Sequence, residues 1–428
     1  MAALQLEGLA PYGLLGSKLG HSWSPQIHAR LGTTPYVLHE LEPDQVGAFV
    51  RRGDWLGLNV TIPYKSDAAR LADERSPRVE RLGVANTLMR RPDGTIYAEN
   101  TDVLGFSFML DRLCRQSLGG PASEVLPGRP ALVLGSGGAS QAVQAALADI
   151  GVPVTAISRT GRDDYASIPT RHADAELIVN TTPVGMFPKC PASPLTDETL
   201  ASLPHLQAIL DVVYNPRRTG ICLQAERLGI PWASGLGMLV SQAWYSSGLW
   251  QGRSLDEALV EAIERRISSQ TQNVILLGMP GVGKTTTGRA LARMLGRPFV
   301  DIDAAIQAEE GLPAGDIIRT RGEAAFREVE TRVTATYGAR SGLVIACGGG
   351  VVTRQRNFPL LHQNGTIVLL QRPLDQLGTS GRPVSQAKGV QRLAEERMPA
   401  YHAWADVEVS CTGTPTGDAD LIRGLLGL

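Results

Sequence analysis

Gly278-Met279-Pro280-Gly281-Val282-Gly283-Lys284-Thr285 follows the apolar run Val274-Ile275-Leu276-Leu277 and opens a helix-patterned run, Thr286–Leu295. Strand, glycine loop and helix in that order form the context of a phosphate-binding P-loop. Gly278, Gly281 and Gly283 let backbone N–H groups, those of Val282 and Thr286 among them, converge on phosphate oxygens. Lys284 is placed to reach the β- and γ-phosphates, and the Thr285 hydroxyl to hold Mg2+. The expected ligands are ATP and Mg2+. A P-loop lies near the start of its own α/β domain, yet more than half of this chain precedes it. Something else stands in front.

The 428 residues suit two or three domains, and 43% hydrophobic content supplies full cores. A net charge of −1 gives no electrostatic case for nucleic acid or an anionic membrane as partner. The cysteines, Cys114, Cys190, Cys222, Cys347 and Cys411, are scattered with no C-x-x-C pair. That argues against zinc or a disulfide scaffold and fits a reducing cytoplasm. Met1–Glu7 lacks the basic start and long apolar core of a signal peptide. No apolar run reaches about 18 residues, the length expected of a membrane helix. Glycines and prolines punctuate many short elements, as α/β domains require.

Residues 12–118 alternate strand-like runs (Tyr12–Gly16, Tyr36–Leu41, Leu56–Ile62) with helix-like ones. Ser24–Leu31 reads as a helix with Ser24 at the N-cap and Pro25 in the first turn. Three clusters are polar where a core wants apolar residues: Gly20-His21-Ser22-Trp23-Ser24-Pro25, Asn59-Val60-Thr61-Ile62-Pro63-Tyr64-Lys65, and Asn86-Thr87 with Asn100-Thr101-Asp102. Strand alternation puts Asn59 and Thr61 on one face, with Lys65 past the strand's end. Hydroxyls, amides, one lysine and one carboxylate suit a small polyhydroxylated acid. Each cluster alone fits turn and cap chemistry equally well.

Taken together and in this order, Gly-x-x-x-x-His-Ser-x-Ser-Pro, Asn-Val-Thr-Ile-Pro-Tyr-Lys, Ala-Asn-Thr and Asn-Thr-Asp resemble the substrate half of shikimate dehydrogenases. The resemblance implies that Ser22 and Ser24 bind the substrate carboxylate and that Asn59, Thr61, Asn86 and Asp102 surround its ring hydroxyls. It implies Lys65 and Asp102 as the catalytic pair. The chemistry agrees, because reducing a ketone needs a proton delivered to the developing alkoxide. A lysine beside a carboxylate can hold and return that proton, and its charge stabilises the oxyanion.

After a helix-like run at Phe106–Cys114, the strand Ala131–Leu134 leads into Gly135-Ser136-Gly137-Gly138-Ala139-Ser140 and a helix, Gln141–Ile150. This is a dinucleotide-type turn, with the pyrophosphate expected at the helix N-terminus on Gly135 to Ala139. The next strand, Val152–Ile157, ends in Ser158-Arg159-Thr160. An acidic residue there suits NAD; the basic Arg159 suits the 2′-phosphate of NADP(H). Further strands are expected at Ala175–Asn180 and Ala208–Val213. Asn180-Thr181-Thr182-Pro183-Val184-Gly185-Met186, Asp211-Val212-Val213-Tyr214-Asn215-Pro216 and Gly235-Leu236-Gly237-Met238-Leu239-Val240-Ser241-Gln242-Ala243 look like the same family's later signatures. They imply Gln242 and Tyr214 at the substrate, Gly235 at the nicotinamide and Val212 with it at the cofactor. The resemblance covers residues 10–265.

Ile267–Gln272 reads as a short polar linker. Beyond the P-loop, Pro298-Phe299-Val300 leads into Asp301-Ile302-Asp303, whose two carboxylates share a face. One could serve Mg2+ through water, the other a substrate hydroxyl. Gly322–Arg327 opens a helix carrying Arg327 and Glu330 as i, i+3 neighbours. Cys347-Gly348-Gly349-Gly350, Arg382-Pro383 and Arg397-Met398-Pro399-Ala400-Tyr401 follow. A P-loop with D-x-D, F-R, G-G-G, R-P and R-x-P-x-Y resembles shikimate kinases. That implies Asp303 as the group orienting or deprotonating the attacked hydroxyl, with Asp301 serving the metal through water. It implies Arg327 and Arg397 on the carboxylate, Gly348, Gly349 and Gly350 lining the site, and Arg382 on a closing lid. The run Leu374–Arg382 is shorter than the family's lid and lacks its further arginine.

The expected architecture is α/β throughout. A substrate lobe (1–104, completed by 236–265) and a Rossmann lobe (105–235) precede a linker (266–273) and a P-loop kinase domain (274–428). The resemblance implies NADPH-dependent reduction of 3-dehydroshikimate and ATP-dependent 3-phosphorylation of shikimate, consecutive steps of chorismate biosynthesis, with homodimerisation left open. Three alternatives stand beside it: a sensor that kept both folds, a dehydrogenase preferring quinate or NAD, and an active dehydrogenase with a weak kinase half.

Overall fold

The computed structural model describes residues 11–20, 22–52, 54–377 and 389–428. Arg382 and most of the expected lid lie outside them. Two compact units emerge: Met1–Pro183 with Pro194–Tyr214 and Gln224–Arg265, and Val184–Ser193 with Asn215–Leu223 and Arg266–Leu428. Among the described residues, no helix is long and apolar enough to cross a membrane.

The first unit holds two sheets. One contains β1 (Tyr12–Gly16), β2 (Tyr36–Glu40), β3 (Gly57–Val60), β4 (Glu74–Arg75), β5 (Thr87–Arg90) and β6 (Ile96–Glu99), in the order β2-β1-β3-β5-β6-β4. β1 lies parallel to β2 and β3, while β5 runs antiparallel to β3 and β6. That reversal puts Asn59 and Thr87 directly opposite each other. Helix α1 (Ser24–Leu31) departs from expectation at its start. Trp23 occupies the cap position, and Ser24 is the first helical residue, buried, with its hydroxyl accepting from Ser22 Oγ at 3.1 Å. The strand expected over Leu56–Ile62 ends at Val60; a turn through Tyr64 then delivers Lys65 to the first position of α2 (Lys65–Leu71).

α3 (Thr101–Ser117) is capped by the Asn100 side chain, which accepts from Val103 N–H. It leads to the second sheet: β7 (Ala131–Leu134), β8 (Val154–Ile157), β9 (Leu177–Asn180), β10 (Ala208–Asp211) and β11 (Trp232–Ala233), all parallel, in the order β11-β10-β9-β7-β8. Parallel strands are covered on both faces, which explains the unbroken apolar runs of β7 and β9. The order reverses between β7 and β9, the switch point where such sheets take ligands. α4 (Gly138–Asp149) starts there, and α5 (Leu236–Gln251) returns to the first sheet, where Trp250 Nε1 donates to Leu88 O at 3.0 Å.

The polar run 267–272, read as a linker, is helical as far as Thr271, and its Ile267 is buried. In the second unit β12 (Asn273–Leu277), β13 (Phe299–Asp301), β14 (Val344–Ala346), β15 (Gly365–Gln371) and β16 (Val407–Ser410) form a parallel sheet in the order β13-β14-β12-β15-β16. β12 again marks the switch point, and the loop after it is the quoted glycine run. Helices α6 (Lys284–Leu295), α7 (Ile302–Glu310), α8 (Glu323–Gly338) and α9 (Val390–Trp404) supply the rest of this site.

Candidate active sites

In the first unit, Lys65 Nζ lies 2.5 Å from Asp102 Oδ2. Asp102 sits in the first turn of α3, where unpaired helix N–H groups favour a carboxylate. Its Oδ1 accepts from Asn86 Nδ2 at 2.9 Å. Asn86 is oriented in turn, because its Oδ1 accepts from Thr101 N–H at 2.7 Å and from the Thr101 and Thr87 hydroxyls. Gln242 joins them: Thr101 Oγ1 lies 3.4 Å from its Oε1. α5 can bring it so close because Gly105 of α3 has no side chain; a Cβ there would lie 2.9 Å from the Gln242 backbone nitrogen. Thus Lys65, Asn86, Asp102 and Gln242, 177 residues apart in sequence at the extremes (242 − 65), form one hydrogen-bonded cluster.

Asn59 adjoins it, donating to Thr87 Oγ1 at 3.2 Å and accepting from the Tyr36 hydroxyl at 2.9 Å. Burial pushes the Tyr36 phenol well above its usual pKa, so it donates and thereby fixes the Asn59 amide orientation. The ring stacks on His28, whose imidazole burial lowers to about 3 and leaves neutral. Ser22 and Ser24 bracket Trp23, whose ring packs on Tyr214 with centroids 4.9 Å apart. Thr61 follows the end of β3, its N–H bonded to Leu15 O. The sequence analysis gave Thr87 and Thr101 no role of their own within the polar clusters and read Tyr36 only as a strand's start; pairing of β5 with β3 and the start of α3 bring them to the site.

At the switch point of the second sheet, Gly135 has φ +110°, and a Cβ on it would press against Thr181 Oγ1 at 2.8 Å. Ser140, buried, donates to Gly135 O at 2.8 Å and fixes the loop. Gly137 caps α4 and Gly138 starts it, with Ser136 and Ala139 on either side, so the helix's first N–H groups are free for a pyrophosphate. Ser158, Arg159 and Thr160 follow β8, Arg159 and Thr160 exposed. Gly235 N–H donates to Val213 O at 3.0 Å, which brings Gly235 beside the Val212–Tyr214 turn. These groups fit a dinucleotide carrying an extra phosphate.

In the second unit, Gly283 takes φ +110° at the N-terminus of α6. Lys284 Nζ donates to Gly278 O (2.8 Å) and Met279 O (3.1 Å), curling the loop around a buried ammonium. Gly281, Val282 and Thr286 complete the turn, with Thr286 Oγ1 on Gly283 O. Thr285 Oγ1 lies 2.6 Å from Asp301 Oδ2, a hydroxyl–carboxylate pair that fits Mg2+ held directly and through water. Asp301 Oδ1 also caps α7, accepting from Asp303 N–H. Asp303 is open to solvent on one side yet crowded by protein elsewhere; lost hydration raises its pKa, Asp301 adds to the rise, and Lys284 and Arg327 oppose it.

Gly348, Gly349 and Gly350 join this to the other half of the site. A Cβ on Gly348 would meet Asp303 Oδ1 at 2.8 Å, one on Gly349 would meet Pro280 of the P-loop at 2.7 Å, and one on Gly350 would collide with the Arg327 guanidinium. Arg327 is held by Glu330 (2.7 Å) and Glu323 (3.1 Å). Arg397 donates to Gly349 O at 2.8 Å. The Nε atoms of both arginines are buried without a hydrogen-bond partner. Buried guanidinium donors left open beside a phosphate loop suit an anionic acceptor substrate.

These two sites define a two-lobed dinucleotide dehydrogenase joined to a P-loop phosphotransferase. Residues 14–88 match the family model of the shikimate dehydrogenase substrate binding domain, and residues 280–422 that of shikimate kinase. A shikimate dehydrogenase (NADP(+)) of Clostridium beijerinckii is 31% identical over 271 residues, which span 59% of this chain and 96% of that protein. A chorismate mutase/shikimate 5-dehydrogenase fusion protein from Clostridium acetobutylicum superposes with a TM-score of 0.53 at 32% identity, covering 60% of this chain and 96% of the other. The Thermus thermophilus shikimate 5-dehydrogenase, solved with NADP(H) and shikimate, gives 0.50 at 32% identity, with 60% and 98% covered. The chain belongs to the shikimate dehydrogenase family, and it carries a shikimate kinase domain after it.

Proposed function

We propose that residues 1–104 with 236–265 are the substrate lobe, 105–235 the NADP(H) lobe and 274–428 the kinase, and that the chain runs two consecutive reactions. It reduces 3-dehydroshikimate to shikimate with NADPH, then phosphorylates shikimate at its 3-hydroxyl with Mg-ATP. The observation that carries the first reading is the Lys65–Asp102 pair held by Asn86 and Gln242. Bound NADPH supplies the hydride. Lys65 supplies the proton to the ketone oxygen and stabilises its growing charge, with Asp102 orienting the ammonium. Ser22 and Ser24 hold the carboxylate, Asn59, Thr61, Asn86 and Asp102 surround the ring hydroxyls, Gln242 also binds the substrate, and Tyr214 lies beside it. An ion pair kept in working geometry weighs against a pure sensor. Five cysteines with no disulfide between them suit the cytoplasm.

In the kinase, Arg327 and Arg397 hold the substrate carboxylate and the Gly348–Gly350 backbone lines the ring. Asp303 accepts the proton of the attacking hydroxyl, and Lys284 with the loop N–H groups stabilises the transferring phosphoryl group. Arg382 of the lid is assigned to that same charge. A coupled assay tests the whole reading. Given 3-dehydroshikimate, NADPH and Mg-ATP, the protein is expected to consume NADPH and release shikimate 3-phosphate; NADPH loss without the phosphate would remove the kinase half.

Two further outcomes follow from single residues. Arg159→Asp is expected to raise KM for NADP at least about tenfold while changing KM for NAD far less, since only NADP offers the charged 2′-phosphate. Equal losses for both would refute the selector role. Kinase turnover should also fall on acidification, because Asp303 must be ionised to accept a proton. Its raised pKa places that limb above about 4, the ordinary carboxylate value. A pH profile of kcat with its acid limb at or below that value would remove Asp303 as the base.

A further inference from the structure

Arg327 and Arg397 face the same glycine loop but are held by different kinds of partner. Arg327 is clasped by two carboxylates, Glu330 and Glu323. Arg397 has no carboxylate within ion-pair distance among the described residues. Its guanidinium is tethered to the Gly349 carbonyl at 2.8 Å, and the Tyr401 hydroxyl donates to that same carbonyl. Tyr401 and Arg397 stand four residues apart on one face of α9. Tyr401 is wholly buried and Arg397 is 5% exposed. Burial raises the phenol's pKa, so it remains a donor, and it also lies within hydrogen-bonding reach of the Arg397 side chain.

We propose that Tyr401 is a positioning residue of the kinase half, which holds Gly349 and Arg397 in register through neutral contacts and so keeps the Arg397 guanidinium clear of any direct carboxylate partner, ready for the carboxylate of the acceptor substrate. The reason is electrostatic. A carboxylate tether would fix the guanidinium equally well but would cancel much of the field it offers an anion. A phenol and a carbonyl fix it without that cancellation. The division of labour is therefore unequal. Arg327 has two carboxylates, Glu330 and Glu323, in direct contact, whereas Glu330 reaches Arg397 only through space, so Arg397 offers the anion the larger attraction.

This inference rests on the kinase reading above, and the test separates the two. Phosphorylation of shikimate by the unaltered full chain establishes that reading; its absence would sink the reading itself. With that activity in hand, Tyr401→Phe is expected to raise KM for shikimate about tenfold, the scale of one lost hydrogen bond at a charged group, while KM for Mg-ATP stays within about twofold. The methyl ester of shikimate, which lacks the carboxylate charge, provides the second readout. Against the ester, Tyr401→Phe and the unaltered chain should have the same kcat/KM. An unchanged KM for shikimate overturns the proposal. So does an equal loss on the ester, which would make Tyr401 merely structural.

Discussion

Lys65→Ala is expected to lower dehydrogenase kcat by about 10²- to 10⁴-fold, the usual contribution of a positioned acid or base. At about 1.4 kcal/mol per decade, that is about 3 to 6 kcal/mol of lost transition-state stabilisation. The geometry says why the loss should fall on kcat. Lys65 Nζ is fixed at 2.5 Å from Asp102, which is itself fixed by Asn86. Removing the ammonium leaves Asn86, Gln242, Asn59 and the two serines in place, because each is held by other partners. The substrate KM should therefore change only a few-fold. The amides left in the cluster do not ionise and so cannot take over delivery of the proton. Kinase activity is the internal control, since it uses none of these residues, and it should be unchanged. A rise in KM with kcat intact would make Lys65 a binding group, and a parallel loss of both activities would point to a damaged fold.

The sequence disclosed the chemistry more fully than the scaffolding that orients it. The glycine loops, Lys65, Asp102, Asp303 and the arginines stand out because their residue types are costly anywhere but at a site. The parallel strands stand out because burial on both faces forces continuous apolar runs, as in Val274–Leu277. Their ends were less visible. β3 stops at Val60, and Trp23, not Ser24, takes the cap of α1, where the Ser24 hydroxyl is engaged by Ser22, a local contact that propensity does not encode. The second rank of residues was hidden for a different reason. Tyr36, Thr87 and Thr101 act only through partners supplied by other elements, and Tyr401 through a carbonyl 52 residues away. Gly105 gives the same lesson, since it is one glycine in a helix until α5 crosses it and places Gln242 beside Asn86.

The kinase half has its counterpart in Lys284. Substituting it with alanine is expected to reduce kcat/KM for ATP by about 10²- to 10³-fold, the scale of losing one preorganised donor to developing charge, while dehydrogenase turnover stays unchanged. Two effects are combined in that figure. The proposed phosphate contact is made by the same ammonium that binds Gly278 O and Met279 O, so the alanine variant loses the charge, the loop anchor and the stem together. Lys284→Met restores the stem without the ammonium. If the ammonium dominates, methionine and alanine should fall together. If packing of the stem dominates, methionine should recover most of the activity, and the phosphate-contacting role would be wrong. The metal offers a further distinction. Thr285 Oγ1 and Asp301 are paired at 2.6 Å, and Asp301 caps α7, both without the lysine. The Mg2+ concentration giving half-maximal residual turnover should thus be the same in Lys284→Met as in the unaltered chain. A shifted midpoint would mean that the lysine acts on the metal site rather than on the phosphates.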